Sequence, residues 1–159
     1  MARRFAVILA ACGGGAAAHD APMIDAPAAC TATWSGNFAE VATSPTACAT
    51  ITPGGALAIQ APTTRLPTPL PIAIQLAAAV AGSYSSESVV TWSASEKTMV
   101  VGDTCIFQAG SGVAPPGDFT LTLADATAPH GTLDLDMVVL AGELSVCGNP
   151  LSEQLELAF

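Results

Sequence analysis

Asp134 and Asp136 stand two residues apart in the alternating segment Leu133-Asp134-Leu135-Asp136-Met137. On a strand both carboxylates face the same way. With His130 four residues upstream of Asp134, they offer part of a metal site or an acid pair. Calcium asks for about six to eight oxygens, many of them from one local loop, and two carboxylates on a strand do not make a loop. The simpler reading is a solvent face opposite Leu133, Leu135 and Met137. His130 is the one histidine outside the segment 13–29, so a Ser-His-Asp hydrolase would have to use it. Serines are plentiful, yet no G-x-S-x-G occurs, and Ala109-Gly110-Ser111-Gly112 only approaches one. Between Pro129 and Gly131, His130 reads as a turn residue. The chain carries no H-E-x-x-H and no phosphate-cradling glycine motif. The expectation is a protein without catalytic residues, metal site or cofactor.

Thiols are the other reactive groups: Cys12, Cys30, Cys48, Cys105 and Cys147. Cys12 differs from the rest in its setting. Two arginines, Arg3 and Arg4, precede an apolar run from Phe5 to Ala11, and Leu9-Ala10-Ala11-Cys12 closes it. That segment resembles the lipobox of bacterial lipoprotein signal peptides. The resemblance implies that residues 1–11 are a signal peptide, and that the Cys12 thiol receives a diacylglyceryl group before cleavage. Cys12 would then be the lipidated N-terminus of the mature chain. Gly13 follows it, and by resemblance to enteric lipoprotein sorting this favours the outer membrane over the inner. Four cysteines remain. In an exported chain an even remainder reads as two disulfides, with three possible connectivities. Cys30–Cys48 and Cys105–Cys147 is the expected pairing, because each closes a local section of chain. Zinc is disfavoured, since no C-x-x-C spacing is present.

These residues need elements to place them. Residues 13–29 are Gly, Ala, Pro and Asp with little to bury, so they cannot offset their ordering entropy and should form a flexible tether. Such a coil would hold a domain about 20–25 Å from the bilayer on average. His19, Asp20 and Asp25 read as solvated tether residues. From Cys30 onward the periodicity is that of strands. Trp34 and Phe38 share parity, as do Leu57 and Ile59 after the Pro53-Gly54-Gly55 turn. Prolines from Pro62 to Pro71 predict an extended connector, and Pro71 puts the start of the strand Leu70–Leu76 at an edge or outside the ladder. The alanines at 77–81 allow a helical turn. Val90 to Ala94 and Met99 to Val101 read as strands, with Glu96-Lys97 as the turn between them. Cys105 and Phe107, then Phe119 to Leu123, Leu133 to Val139, Leu144 to Val146 and Leu155 to Phe159 complete the set. The expectation is all-β: an antiparallel sandwich or barrel-like domain of about nine short strands with disulfides, spanning residues 30–159 as a single domain.

Composition narrows the function. Hydrophobic residues make up 51% and charged ones 11%, with mean hydropathy +0.53. Even so, the apolar runs are far shorter than the roughly 20 residues of a spanning helix. Once Arg3 and Arg4 leave with the signal, Arg65 and Lys97 face thirteen acidic residues, a side-chain balance of −11. Such a surface repels phosphate backbones and anionic headgroups, so nucleic acid is an unfit partner. Membrane attachment would rest on lipid at Cys12, and several acyl chains anchor stably where one does not. Trp34, Phe38, Tyr84, Trp92, Phe107 and Phe119 read as core, or else as the lining of a calyx for a small apolar molecule. Leu155-Glu156-Leu157-Ala158-Phe159 resembles the closing strand of outer-membrane barrels, but aromatics at 5% are too few for two girdles. The expected function is therefore a non-enzymatic binding or structural module of the cell envelope, lipid-anchored and able to meet an envelope protein partner. A carrier or sensor of a small apolar ligand is the alternative, and a hydrolase using His130 with a serine is the third.

Overall fold

Apolar residues that recur at every second position are buried together only if the chain runs extended with one face inward. The computed structural model describes residues 29–36, 39–100, 103–114, 116–141, 147 and 152–159. Eleven strands within them follow that rule. They are β1 (Cys30–Ser35), β2 (Glu40–Ser44), β3 (Ala49–Ile51), β4 (Ala56–Ala61), β5 (Leu70–Gln75), β6 (Gly82–Ser85), β7 (Thr91–Val100), β8 (Asp103–Gly110), β9 (Asp118–Asp125), β10 (His130–Ala141) and β11 (Ser152–Ala158). Their pairings are antiparallel. The all-β expectation holds, as one curled sheet in the form of a half-barrel.

β10 organises that sheet. Along one edge its residues 132–138 pair with β11. Its other edge is divided, with residues 130–136 against β9 and the stretch from Val138 to Ala141 against β8. The sheet therefore forks at β10. One arm runs through β9 to β6, the other through β8, β7, β5 and β4 to β3, while β1 and β2 lie beyond β11. Trp34, Ile59, Ile72, Phe107, Leu121 and Leu133 belong to the one core cluster that the curl encloses. Trp92 of β7 meets Phe119 of β9 edge-on, with ring centroids 4.9 Å apart, and so joins the two arms.

Covalent and hydrogen bonds tie the curl together. Cys30 is bonded to Cys48, with Cα atoms 6.1 Å apart, which fastens β1 to the approach of β3. The Gln60 amide of β4 donates to the Cys48 carbonyl at 2.7 Å. The Trp34 indole N–H donates to the Pro62 carbonyl at 3.2 Å. Cys105 of β8 is bonded to Cys147, with Cα atoms 5.6 Å apart. The connectivity is thus the local one expected. Gly55, at φ +83°, lets the β3–β4 turn lie against the Leu76 carbonyl, where a Cβ would stand only 2.6 Å away.

The strand map differs from the sequence expectation at several points. Glu96-Lys97 is not a turn: both lie inside the ten-residue β7, with Glu96 opposite Phe107 and Lys97 opposite Ile106. Residues 77–81 form an irregular, bent stretch rather than a helical turn, because five residues are too few to repay helix nucleation. β2, β3 and β6 are additional strands, each of three to five residues. Pro71 sits where β5 has only β4 beside it, since the ladder to β7 begins at Ile72. Gly36, at φ +105°, follows the end of β1. The expected strand from Leu144 to Val146 and the partner position Phe38 lie outside the described residues.

Candidate functional site

The connector between β4 and β5 carries Thr63-Thr64-Arg65 to the inner face of the curl. Strands from three parts of the chain meet it there. Arg65 Nε donates to Glu40 Oε1 at 3.1 Å, Nη2 to Glu96 Oε2 at 3.5 Å, and Nη1 to Glu153 Oε1. Its guanidinium carbon also stands 4.7 Å from the centroid of the Trp34 ring, a stacking that suits the planar, weakly hydrated cation. One guanidinium thus serves carboxylates from β2, β7 and β11.

The three carboxylates are not equivalent. Glu40 also accepts hydrogen bonds from the Thr63 and Thr64 hydroxyls and from the Thr64 amide at 3.1 Å. Burial pushes its carboxyl up, but these bonds and the one from Arg65 outweigh it, and Glu40 titrates below the ordinary carboxylate range. Glu96 and Glu153 are 1% and 0% exposed. Each leaves one oxygen, Glu96 Oε1 and Glu153 Oε2, without a hydrogen-bond partner. Burial raises the Glu96 carboxyl despite the pull of Arg65. Burial, then the neighbouring Glu96 charge, pushes Glu153 up to about 7. Three ionised carboxylates around one guanidinium would leave two uncompensated buried charges, a costly arrangement. Burial and the neighbouring charges accordingly push both carboxyls of the Glu96/Glu153 pair towards the protonated form.

The residues singled out in the sequence lie elsewhere. Asp134 and Asp136 face outward on β10 as their spacing predicts, and both are exposed. Asp134 lies opposite Thr120 and Glu156, and Asp136 opposite Asp118 and Gln154. These residues line a shallow depression of about 240 Å³ on the outer face. The Thr120 hydroxyl donates to Asp134 Oδ2 at 3.3 Å. His130 opens β10 on the same strand, and four residues of extended chain put it about 13 Å from Asp134. Its Nδ1–H donates to the Ala128 carbonyl at 2.9 Å. The turn before it is capped by Asp125, which accepts from the Thr127 amide and hydroxyl at 2.7 and 2.8 Å, holding that carboxyl below its usual range. Ser111 is tied to β7, its hydroxyl accepting from the Trp92 amide at 3.2 Å. Among the described residues no group of three or more His, Cys, Asp or Glu is placed to hold a metal ion, and no helix is long and apolar enough to cross a membrane.

Sequence reasoning passed over Arg65, Glu40, Glu96 and Glu153. A signal for two of them was present. Glu153 shares parity with Leu155, Leu157 and Phe159, and Glu96 with Trp92 and Ala94, so both acids fall on inward positions. An inward acid calls for an inward cation, and only Arg65 and Lys97 lie beyond the first four residues. Cys12 and its flanking segment lie outside the described residues. Comparison with protein-family models, with curated proteins and with solved structures gives no match for this chain.

Proposed function

We propose that the chain is a lipid-anchored module of the bacterial cell envelope, held by Cys12 and acting by binding rather than catalysis. The observation that carries the reading is how the interior is used. Along β4, β5, β9 and β11 every inward position holds a buried side chain, and the remaining space at the connector is taken by the Arg65 cluster. An interior filled in this way favours recognition on the outside over a ligand carried within. The outer face offers two different surfaces. One is the acidic depression along Asp118, Asp134, Asp136 and Glu156. The other is the neutral, small-residue face of Ala58, Ala73 and Ser93, aligned across β4, β5 and β7. Val41, 66% exposed on the outermost strand β2, adds an apolar contact point for an envelope protein partner.

β11 supports the same reading over a lipid-embedded barrel. Leu155, Leu157 and Phe159 are buried while Gln154 and Glu156 are exposed, the reverse of a strand whose apolar side meets lipid. The outer membrane is the proposed destination, on the strength of Gly13 after Cys12. The test is metabolic labelling with a fatty acid, followed by membrane fractionation and native mass spectrometry of the released protein. Label on the wild type but not on Cys12→Ser, with no co-purifying small molecule, is the expected outcome. A bound apolar molecule would favour the carrier, and a hydrolase activity lost in His130→Ala would overturn the non-enzymatic reading.

A further inference from the structure

Arg65 reaches its three carboxylates from a connector, whereas the carboxylates themselves sit on strands far apart in the sheet. β7 and β11 are separated by β8 and β10, and β2 lies beyond β1. The ion cluster, together with the Trp34 ring and its bond to Pro62, anchors the otherwise largely exposed connector 62–69 to the inner face of the curl. The charged groups turned towards the guanidinium from the described elements are Glu40 of β2, Glu96 of β7 and Glu153 of β11. Lys97, next to Glu96, is exposed and faces the other way. Glu40 is satisfied by Thr63, Thr64 and Arg65. Glu96 and Glu153 share what remains of one cation, and each has an unpartnered oxygen in the interior.

We propose that this cluster is a proton-operated clasp: one proton on the Glu96/Glu153 pair keeps Arg65, and through it the connector 62–69, docked against the curl, and losing it releases the connector. The geometry accounts for both states. With the proton in place, one oxygen of the pair becomes a donor, and a single carboxylate charge remains there beside Glu40. Without it, two buried carboxylates repel one another across the guanidinium, and the nearest relief is water. Water enters when the connector lifts, because the connector, unlike β7 and β11, is held by no ladder on either side. The molecule would thus be closed in mildly acid surroundings and looser in alkaline ones. The direction is opposite to that of a histidine switch, which charges as pH falls.

The experiment is amide hydrogen exchange on the full chain at about pH 5.5 and about pH 8.5, corrected for intrinsic rates, in wild type, Glu153→Gln and Glu96→Gln. For a carboxyl at about 7 when docked and about 4.5 when released, opening of the connector amides should rise about thirtyfold across that range. Glu153→Gln, which keeps the shape and removes the charge, should flatten the response. Glu96→Gln should do the same if Glu153→Gln does not fold. Carbon-detected titration of the wild-type glutamates supplies a variant-free reading, in which one carboxyl should titrate near neutrality. Equal corrected exchange at both pH values would overturn the clasp. So would a response that survives both substitutions, or recovery of docking at the higher pH on adding calcium after chelation, since the occupant would then be a metal rather than a proton.

Discussion

The Arg65 guanidinium lies over the Trp34 ring at 4.7 Å, while the same indole donates its N–H to the Pro62 carbonyl three residues before that arginine. Trp34 thus grips the connector twice, by its face and by its edge. β1 is thereby joined to the connector leaving β4, although the sheet order places those strands at opposite ends. Aromatic packing and charge act on the same few residues.

Removing the cation should be more damaging than removing one anion. Arg65→Met keeps an unbranched side chain there but strands Glu96 and Glu153 in the interior, where breaking a buried pair costs about 3–5 kcal/mol. Arg65→Lys should recover only part of that, because a point charge cannot serve three carboxylates in a planar fork. Urea denaturation at fixed pH measures both. A loss below about 1 kcal/mol for Arg65→Met would show that the cluster is not buried as described.

Stability should have a maximum on the acid side of neutrality. Glu153 is raised when folded, so its contribution is complete below about 4.5 and is lost as pH rises through about 7. The loss is worth roughly 3 kcal/mol once complete. Glu40 is depressed when folded, so its contribution is present above the ordinary carboxylate range and disappears as pH falls through its own lower value. Melting temperature against pH should rise from strong acid, peak, and decline through neutrality. Glu153→Gln should remove the decline and leave the acid limb in place.

The two disulfides should differ in weight. Cys105–Cys147 closes 42 residues and Cys30–Cys48 closes 18, so loop entropy assigns them about 4 and about 3 kcal/mol respectively. Paired Cys→Ser variants compared by denaturant midpoint give the order, and non-reducing peptide mapping of the wild type checks the connectivity.

His130→Ala and Asp134→Asn should be nearly silent. The exposed His130 ring bonds to the neighbouring Ala128 carbonyl in its turn, and Asp134 is exposed on the outer face of β10. Changes within about 0.5 kcal/mol are expected for such positions. A larger loss of stability in either variant would reveal a contact that this geometry does not contain.

Legibility in the sequence followed the contrast between neighbours. β9, β10 and β11 alternate large aliphatics with Asp, Thr and Glu, so each position declares its side. β2, β3 and β6 are three to five residues long and mostly Thr, Ala, Ser and Gly around a single Val41, Ile51 or Tyr84, too few large side chains to mark a face. Glu96-Lys97 misled for a different reason. Two adjacent charges resemble a turn, whereas one of them points inward to an arginine 31 residues earlier in the chain. No local rule can see that partner. The cluster exists only once the curl has brought β2, β7 and β11 to one connector.

The forked neighbourhood of β10 also sets an order of arrival. Synthesis presents β1 well before β11, yet β1 takes β11 as a neighbour, with Thr31 opposite Ala158. Until β11 is in place, the edge of β1 opposite β2 has no ladder partner among the described strands. Contacts between such distant parts of a chain form slowly. An intermediate with β1 formed and β11 not yet docked would present an open strand edge, the kind of edge that invites aggregation.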